Sequence, residues 1–517
     1  MQQYATSSQL QTLQIALPPS GKKKISRASI CAKMDPMQIQ LGVGTKNHSV
    51  YCYVFLKSGT LTHYEDGEYV PTEIRDWRIA FKVNIDLQAM EKKDVPVHIK
   101  KQLAKAGDYS VKKLILDFTT ADVINYDEKK SLLPGLPNED DPTLTAERQV
   151  HLGTLLKSWI EDLKKQTDEG HTHNILGYSV SVGHPKAGYP TGPTLVPTSM
   201  THQNYHFLAS RGSSPVSDLF GADKETGNNN MLLYLEMTNH NLLPEAALNY
   251  SANWVVNEPG QPVKDGTLAI ASKCFFENYL LPKLAIVNRN TAIKALRAEH
   301  HGYEVNEIHF DFQIGKTFDE NSDPKSYQWK KADQPLSWVF EDESSKGSTN
   351  NSFPSRTLGI YGTLSCSVSN TVQVDPGSNE IRLAGHIMAK KSRNANFFNG
   401  GNYYFEQHWS ITIKFESVEK GGLVAKAEKY IEEPRISSDK NGHAFAQDDM
   451  MHAQQLKDII GNALNMEKTI EDINRIFSGP WDFYFPGSGV FLLKSPKFNN
   501  EGDLLVELDY VEGGEEE

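Results

Sequence analysis

Residues 451–477 read MHAQQLKDIIGNALNMEKTIEDINRIF, and this stretch with the strands after it decides what kind of chain this is. From Met451 onward Leu456, Ile459, Ile460, Ala463, Leu464, Ile470, Ile473 and Phe477 recur mostly at three- and four-residue steps. That period lays one apolar stripe along a helix. Ser478-Gly479-Pro480 stops it, and Trp481, Phe483 and Phe485 then alternate along a strand, followed by the apolar runs Val490–Leu493 and Leu504–Leu508. A helix of about 30 residues is roughly 45 Å long. A compact core rarely needs one of that length, whereas an elongated sheet wrapped around a helix does. The pattern predicts a long apolar interior, filled either by its own side chains or by a guest.

Outward from there the chain reads as strand-rich. Trp77, Ile79, Phe81, Val83, Ile85 and Leu87 alternate with Arg78, Ala80, Lys82, Asn84 and Asp86, a half-buried strand with one wet face. Phe405–Phe415 and Ile381–Ile387 repeat the period, and further strands are predicted at Ser110–Phe118, Asn174–Val182, Met231–Met237, Tyr250–Val256 and Glu307–Ile314. They follow one another without βαβ spacing, which favours antiparallel pairing. One helix is predicted at about 145–165, with Val150, Leu152, Leu155, Leu156, Trp159, Ile160 and Leu163 as its apolar face. Another starts after Ser272, its predicted N-cap, and Pro282 should interrupt or kink it. Cys274 on that helix reads as a small buried hydrophobe. Leu132–Pro142, Gly183–Pro197, Ser210–Asn230 and Asp342–Ser355 read as loops, and the third of these as the best domain boundary. The prediction is an α+β chain of two domains. Residues 1–225 form a strand-rich domain, and 226–517 a domain with long helices at about 272–299 and 446–478 wrapped by curved antiparallel sheets.

Composition narrows the function. Across 517 residues the formal net charge is −12, which disfavours nucleic acid, since phosphate binding needs a basic face. No apolar run reaches the roughly 18 residues of a membrane span. Met1 to Gly21 lacks the basic end and apolar segment of a signal peptide, so a soluble chain is expected, cytosolic or exported without a leader. The four cysteines are widely spaced and imply neither a disulfide framework nor a zinc site.

Catalytic motifs are missing. Gly315-Lys316-Thr317 lacks the upstream glycine of a phosphate loop, Gly42-Val43-Gly44 is a partial dinucleotide match, and Ser179 has no nucleophile elbow around it. His171 with His173, His202 with His206, and His300 with His301 read as exposed loop histidines rather than ligands, so neither metal nor cofactor is expected. Asp117, Asp311 and Asp509 read as outward strand residues, and no enzyme is expected. Lys22–Lys24, Lys100-Lys101 and Lys390-Lys391-Ser392-Arg393 are short basic clusters. The last lies beside Phe397-Phe398 and Tyr403-Tyr404-Phe405, an aromatic hairpin tip around Asn399–Asn402. Lys390, Lys391, Arg393, Phe397 and Phe398 are therefore the candidate surface for a protein partner or a membrane headgroup layer.

Met231–Thr238, Asp265–Lys273, Phe275-Phe276, Leu280–Leu284 and Phe485–Val506 together resemble the leaderless accessory proteins encoded beside clostridial neurotoxin and insecticidal toxin genes, the OrfX-type group. The likeness is best over about 231–288 and 455–510 and weak before residue 75. It implies the fold of the tubular lipid-binding superfamily, in which a curved antiparallel sheet wraps a long helix around an apolar groove. It also implies lipid or other hydrophobic-ligand binding, or toxin-accessory work with a toxin or co-encoded protein as partner. It supplies no active-site residues. On this reading Phe275, Phe276, Tyr279, Leu280 and Leu284 line the groove from one helix, and Leu456, Ile460, Leu464, Ile473 and Phe477 from the other. A structural or interaction protein without a cavity is the alternative.

Overall fold

The computed structural model describes residues 8–19, 25–41, 49–95, 100, 107–123, 125–137, 141–168, 174–185, 195, 197–205, 207, 230–248, 253–257, 263–300, 308–315, 324–349, 361–394, 400–417, 423–441, 454–460, 464–477 and 491–510. The chain is mostly β, with a curled half-barrel sheet and few helices. No helix among the described residues is long and apolar enough to cross a membrane. Two compact units comprise Met1–Tyr189, Leu195–Val256 and Phe483–Gly489, and Pro190–Thr194, Asn257–Asp482 and Val490–Glu517. The boundary expected near residue 225 lies outside the described residues.

The first unit holds a six-stranded antiparallel sheet in chain order: β1 (Thr12–Ala16), β2 (Ala28–Gln40), β3 (Ser49–Glu65), β4 (Glu68–Ala89), β5 (Gly107–Asp117) and β6 (Ile175–Pro185). β3 and β4 turn on Asp66-Gly67, both left-handed at φ 46° and 99°, which matches the right-handed twist of a two-residue hairpin. On β4, Trp77, Ile79, Phe81, Val83 and Ile85 are buried and Arg78 and Lys82 face out, as the alternation predicts, while Ala80, expected on the wet face, is fully buried. Helix α1 (Pro142–Asp168) covers this face, with Leu152, Leu155, Leu156, Trp159, Ile160 and Leu163 buried in the same cluster.

α1 begins ahead of its predicted start because Asp141 caps it. Its Oδ1 accepts from the Thr143 (2.8 Å) and Leu144 (3.2 Å) amides, and Pro142 takes a first position that needs no N–H. Val150, expected on the apolar face, is 60% exposed. β7 (Ser199–Tyr205) and β8 (Met231–Met237) form a separate antiparallel ribbon. The strand expected at Tyr250–Val256 does not form over 253–256; 250–252 lie outside the described residues.

In the second unit β9 (Gly266–Ile270) leads to a π-helical stretch, Lys273–Leu280, which runs on into α2 (Leu281–Thr291). Pro282 neither stops nor breaks it. Proline falls in the first turn of α2, where the preceding π geometry bonds the Leu281 amide to the Phe276 carbonyl. Ser272 is not a side-chain cap, because it is already helical; its amide instead donates to Asp503 Oδ1 at 2.8 Å. Cys274 is half-buried.

The helix predicted to reach residue 299 ends at Thr291. Ala292 turns extended (ψ 136°), and β10 (Ile293–His300) pairs with β11 (Ile308–Ile314) instead. The main sheet is an antiparallel meander of β12 (Lys330–Lys331), β13 (Ser337–Thr349), β14 (Tyr361–Val374), β15 (Glu380–Asn394), β16 (Gly400–Ser417) and β17 (Leu423–Ile431), with β18 (Arg435–Asn441) also on β16. Most of β13 was expected as a Ser/Asn loop. Glu343, Ser344 and Ser345 lie opposite Ser367, Cys366 and Ser365 of β14, a largely polar ladder that a hydropathy reading passes over.

The helix expected over 446–478 is two pieces. α3 is described over 454–460, residues 461–463 lie outside the described residues, 464 and 465 are not helical, and Asn465 caps a new helix, α4 (Met466–Ile476), through the Lys468 amide at 2.9 Å. The long paired helices of the prediction are thus short segments. β19 (Phe491–Phe498) and β20 (Leu504–Tyr510) close a three-stranded sheet with β9. Trp481, Phe483 and Phe485 lie outside the described residues.

Candidate functional site

The residues predicted to line a groove are interior. Phe275, Phe276, Leu280 and Leu284 are fully buried, as are Ile473 on α4 and Ile460 on α3; Leu456, Leu464 and Phe477 are buried and Tyr279 half-buried. Their rings meet in one cluster. Phe275 stands 5.2 Å from Phe276, 5.9 Å from Phe415 and 6.2 Å from Phe498, and Phe276 stacks on Trp338 at 5.2 Å. Phe477, at the end of α4, meets Phe415 edge-on at 5.7 Å. Aromatic pairs at these distances add about 0.5–1.5 kcal/mol beyond area burial. The floor of this region is therefore built by β13, β16, β19 and the π-helical stretch. Tyr279 donates to the Ile476 carbonyl at 2.9 Å, and burial holds its hydroxyl well above the usual tyrosine range.

Beside the aromatic floor runs a polar seam that the sequence reading missed. Asn288, Thr291, Asn370 and Thr469 are fully buried. Asn370 Nδ2 donates to Asn288 Oδ1 (2.9 Å) and Thr291 Oγ1 (2.8 Å), pinning the end of α2 to β14. Asn290 Nδ2 donates to Thr469 Oγ1 (3.1 Å) and Asp472 Oδ2 (3.3 Å), joining α2 to α4. The signal was present as Asn288, Asn290 and Thr291 at the end of an apolar helix, where polar residues usually face water.

α4 meets the rest of the unit through polar groups at its rim. Lys429 pairs with Glu467, and Asn474 Oδ1 accepts from the Ala427 amide at 3.3 Å, both on β17. Of the candidate partner surface, Lys390 and Lys391 are half-buried, with their ammonium groups 5.2 Å above the Tyr404 ring and 4.6 Å above the Phe310 ring. Arg393 closes the same strand pairing opposite Gly401, while Phe397 and Phe398 lie outside the described residues.

The carboxylates weighed from the sequence have structural partners. Asp117 accepts from Thr119 (amide 3.0 Å), Asp311 pairs with Arg297 (2.5 Å) and Asp509 with Lys494 (2.6 Å). His202, expected in a loop, is buried on β7 and lines a cavity of about 500 Å³ with Ile85, Leu87, Lys112, Asp117 and Met200. His171, His173, His206 and His301 lie outside the described residues.

A second cavity, of about 330 Å³, opens on the outer face of the main sheet around His386 and His408. These two are direct cross-strand partners, their rings stacked at 4.4 Å and 11°. Glu406 Oε1 lies 2.9 Å from His386 Nε2 and 3.1 Å from His408 Nε2. Burial would raise the Glu406 carboxyl, but the His408 hydrogen bond and the His386, His408 and Arg435 charges outweigh it and hold it below the usual glutamate range. Local spacing hides this cluster. It is the register of the β15–β16 pairing, His386 opposite His408, that brings its members together.

No family model and no curated protein matches this chain. Among solved structures it is similar to the P47 protein of Clostridium botulinum E1, at 12% identity and a TM-score of 0.39 over 96% of this chain and 93% of that one. P47 from Clostridium botulinum A2 gives 11% and 0.39 over 96% and 91%. A lipopolysaccharide binding protein gives 9% and 0.28 over 98% and 93%. At these scores the likenesses establish neither a shared fold nor a shared activity.

Proposed function

We propose that this chain is a non-enzymatic binding protein that takes up a lipid acyl chain, or another apolar molecule, in its second unit between the aromatic floor and α4. One observation supports the reading: α4, a short amphipathic helix packed against α2 and β17, meets the phenylalanine cluster through Phe477 and is held by polar contacts. Those contacts, Lys429–Glu467 and Asn474 to Ala427 at the rim and Asn290 to Thr469 in the buried seam, are of the kind that water replaces at a net cost of about 1 kcal/mol each. Lifting α4 uncovers Ile473 and draws Phe477 away from Phe415. An acyl chain in their place restores apolar contact at about 0.8 kcal/mol per CH₂, so a chain of roughly 14 carbons is held without polar specificity. No leader or toxin function follows from this geometry, and contact with a membrane or a co-encoded protein enters as the route of delivery.

The test is mass spectrometry of the denatured protein together with uptake from liposomes. Co-purifying lipid, or transfer of labelled fatty acid into the protein fraction, is expected; a clean spectrum with no uptake overturns the reading. A protein-docking role is the second reading, favoured by β17. That edge strand carries Tyr430 at 65% and Ile431 at 36% exposure, and its outer side has no paired strand among the described residues. Tyr430→Ser should then abolish capture of a partner and leave stability within about 0.5 kcal/mol.

A further inference from the structure

We propose that His386, Glu406 and His408 form a zinc-binding site on the outer face of the second unit's main sheet. Their ligand atoms, two imidazole nitrogens and a carboxylate oxygen, all lie within 4.8 Å of one another. Zinc bonds of about 2.0–2.2 Å in tetrahedral array set such atoms about 3.3 Å apart. The present separations of 2.9 and 3.1 Å to Glu406 Oε1 are a few tenths of an ångström short of this, and the two stacked imidazoles must turn so that their nitrogens converge on one ion.

Three features distinguish the cluster from an ordinary histidine–glutamate contact. First, His386 Nε2 is sealed from solvent and makes no hydrogen bond, although it sits 2.9 Å from the carboxylate oxygen. A sealed ring nitrogen without a hydrogen bond is unsatisfied, and a cation shared with the carboxylate satisfies it. Second, the ligands come from adjacent strands with fixed register. His386 faces His408, and Glu406 precedes His408 by two residues on the same face of β16, so the triad is set by the sheet.

Third, the fold leaves room for an ion there. β16 is paired to β17 from Trp409 onward and to β18 up to Glu406, so its neighbour changes across Gln407 and His408. The 330 Å³ cavity opens at that gap, with Ser369, Thr371, Ser410 and Glu432 on its walls. The Glu432 amide donates to the His408 carbonyl at 3.1 Å. Its carboxylate pairs with Arg435 at 3.5 Å, offsetting the one cation that faces Glu406 across the ladder. Two imidazoles and one carboxylate are a borderline-soft donor set suited to zinc, with the fourth position left to water or to Glu432. The ion would pin β15 to β16, independently of any apolar ligand beneath the other face.

The experiment uses the untagged full-length chain, stripped with a chelator and titrated with zinc chloride against a chromophoric competitor. One zinc per chain is expected, with a zinc-dependent rise in the melting temperature by mass action. His386→Asn and His408→Asn should weaken binding at least as much as the roughly 10–100-fold lost when a supporting outer ligand is removed. Should either histidine variant fail to fold by circular dichroism, Glu406→Gln keeps the side chain's outline and carries the same expectation. Cobalt in place of zinc should give the visible absorption of a low-coordinate site in the wild type and not in E406Q. No zinc bound at micromolar concentration, or binding of equal stoichiometry and affinity in the folded variants, overturns the proposal.

Discussion

In the first unit a single helix of 27 residues covers the sheet, and six of its side chains are buried in one continuous apolar cluster. In the second unit an 11-residue helix with its own cap packs against α2 and β17, with a rim of polar tethers and a buried asparagine–threonine seam. Both units follow the same plan of helix on antiparallel sheet. They differ in what separation costs. Peeling α1 from its sheet exposes a full apolar stripe, whereas lifting α4 exposes part of one and breaks bonds that water can remake. The lesson is that a layer is fixed or movable according to how its seam is composed, not according to which layers meet.

The largest expected effect sharpens this contrast from below. Phe275 is fully buried among Phe276, Phe415 and Phe498, so Phe275→Ala should cost about 3–5 kcal/mol, confined to the second unit. Denaturant unfolding followed by segment-resolved hydrogen exchange checks it, and a loss shared evenly by both units would break the comparison.

The next effect belongs to the first unit. His63 on β3 is buried with neither ring nitrogen bonded, and it stacks on His151 of α1 at 5.7 Å. Burial first, then the neighbouring His151, lowers His63 from its ordinary 6.5 to about 4. The folded chain thus binds fewer protons than the unfolded one between those values. Stability from this site is complete above pH 6.5 and is lost as pH falls towards 4, by roughly 3 kcal/mol at 1.36 kcal/mol per pH unit. Thermal melts between pH 7 and 4 should show α1 loosening first, and His63→Leu should flatten that slope; an unchanged slope in the variant removes His63 as its source.

The smallest effect is at Asn465. Replacing it with alanine deletes the cap on the Lys468 amide and should destabilise α4 by about 1 kcal/mol. Exchange of the amides in 466–469 should quicken while those of α1 stay as they were.

Much of the sheet structure was legible. Period-two patterns at Trp77–Leu87, Ile381–Ile387 and Phe405–Phe415 correspond to β4, β15 and β16, because one dry face forces strict alternation. The helices were read too long for an identifiable reason. Hydrophobic steps continue across Asn465 and Ala292, but Asn465 caps the start of a separate helix and an extended ψ at Ala292 ends α2. β13 was read as a loop because its serines find partners across the ladder rather than in a core. The histidine–glutamate cluster was invisible to local spacing, since its members meet only through the register of a hairpin.

The most direct measurement of the central contrast is hydrogen exchange of α1 and α4 in one sample, with and without phospholipid vesicles. The account predicts that α4 exchanges faster than α1 in the free protein and that vesicles change the protection of α4 while α1 is untouched. Equal, slow exchange in both helices with no response to vesicles would contradict it.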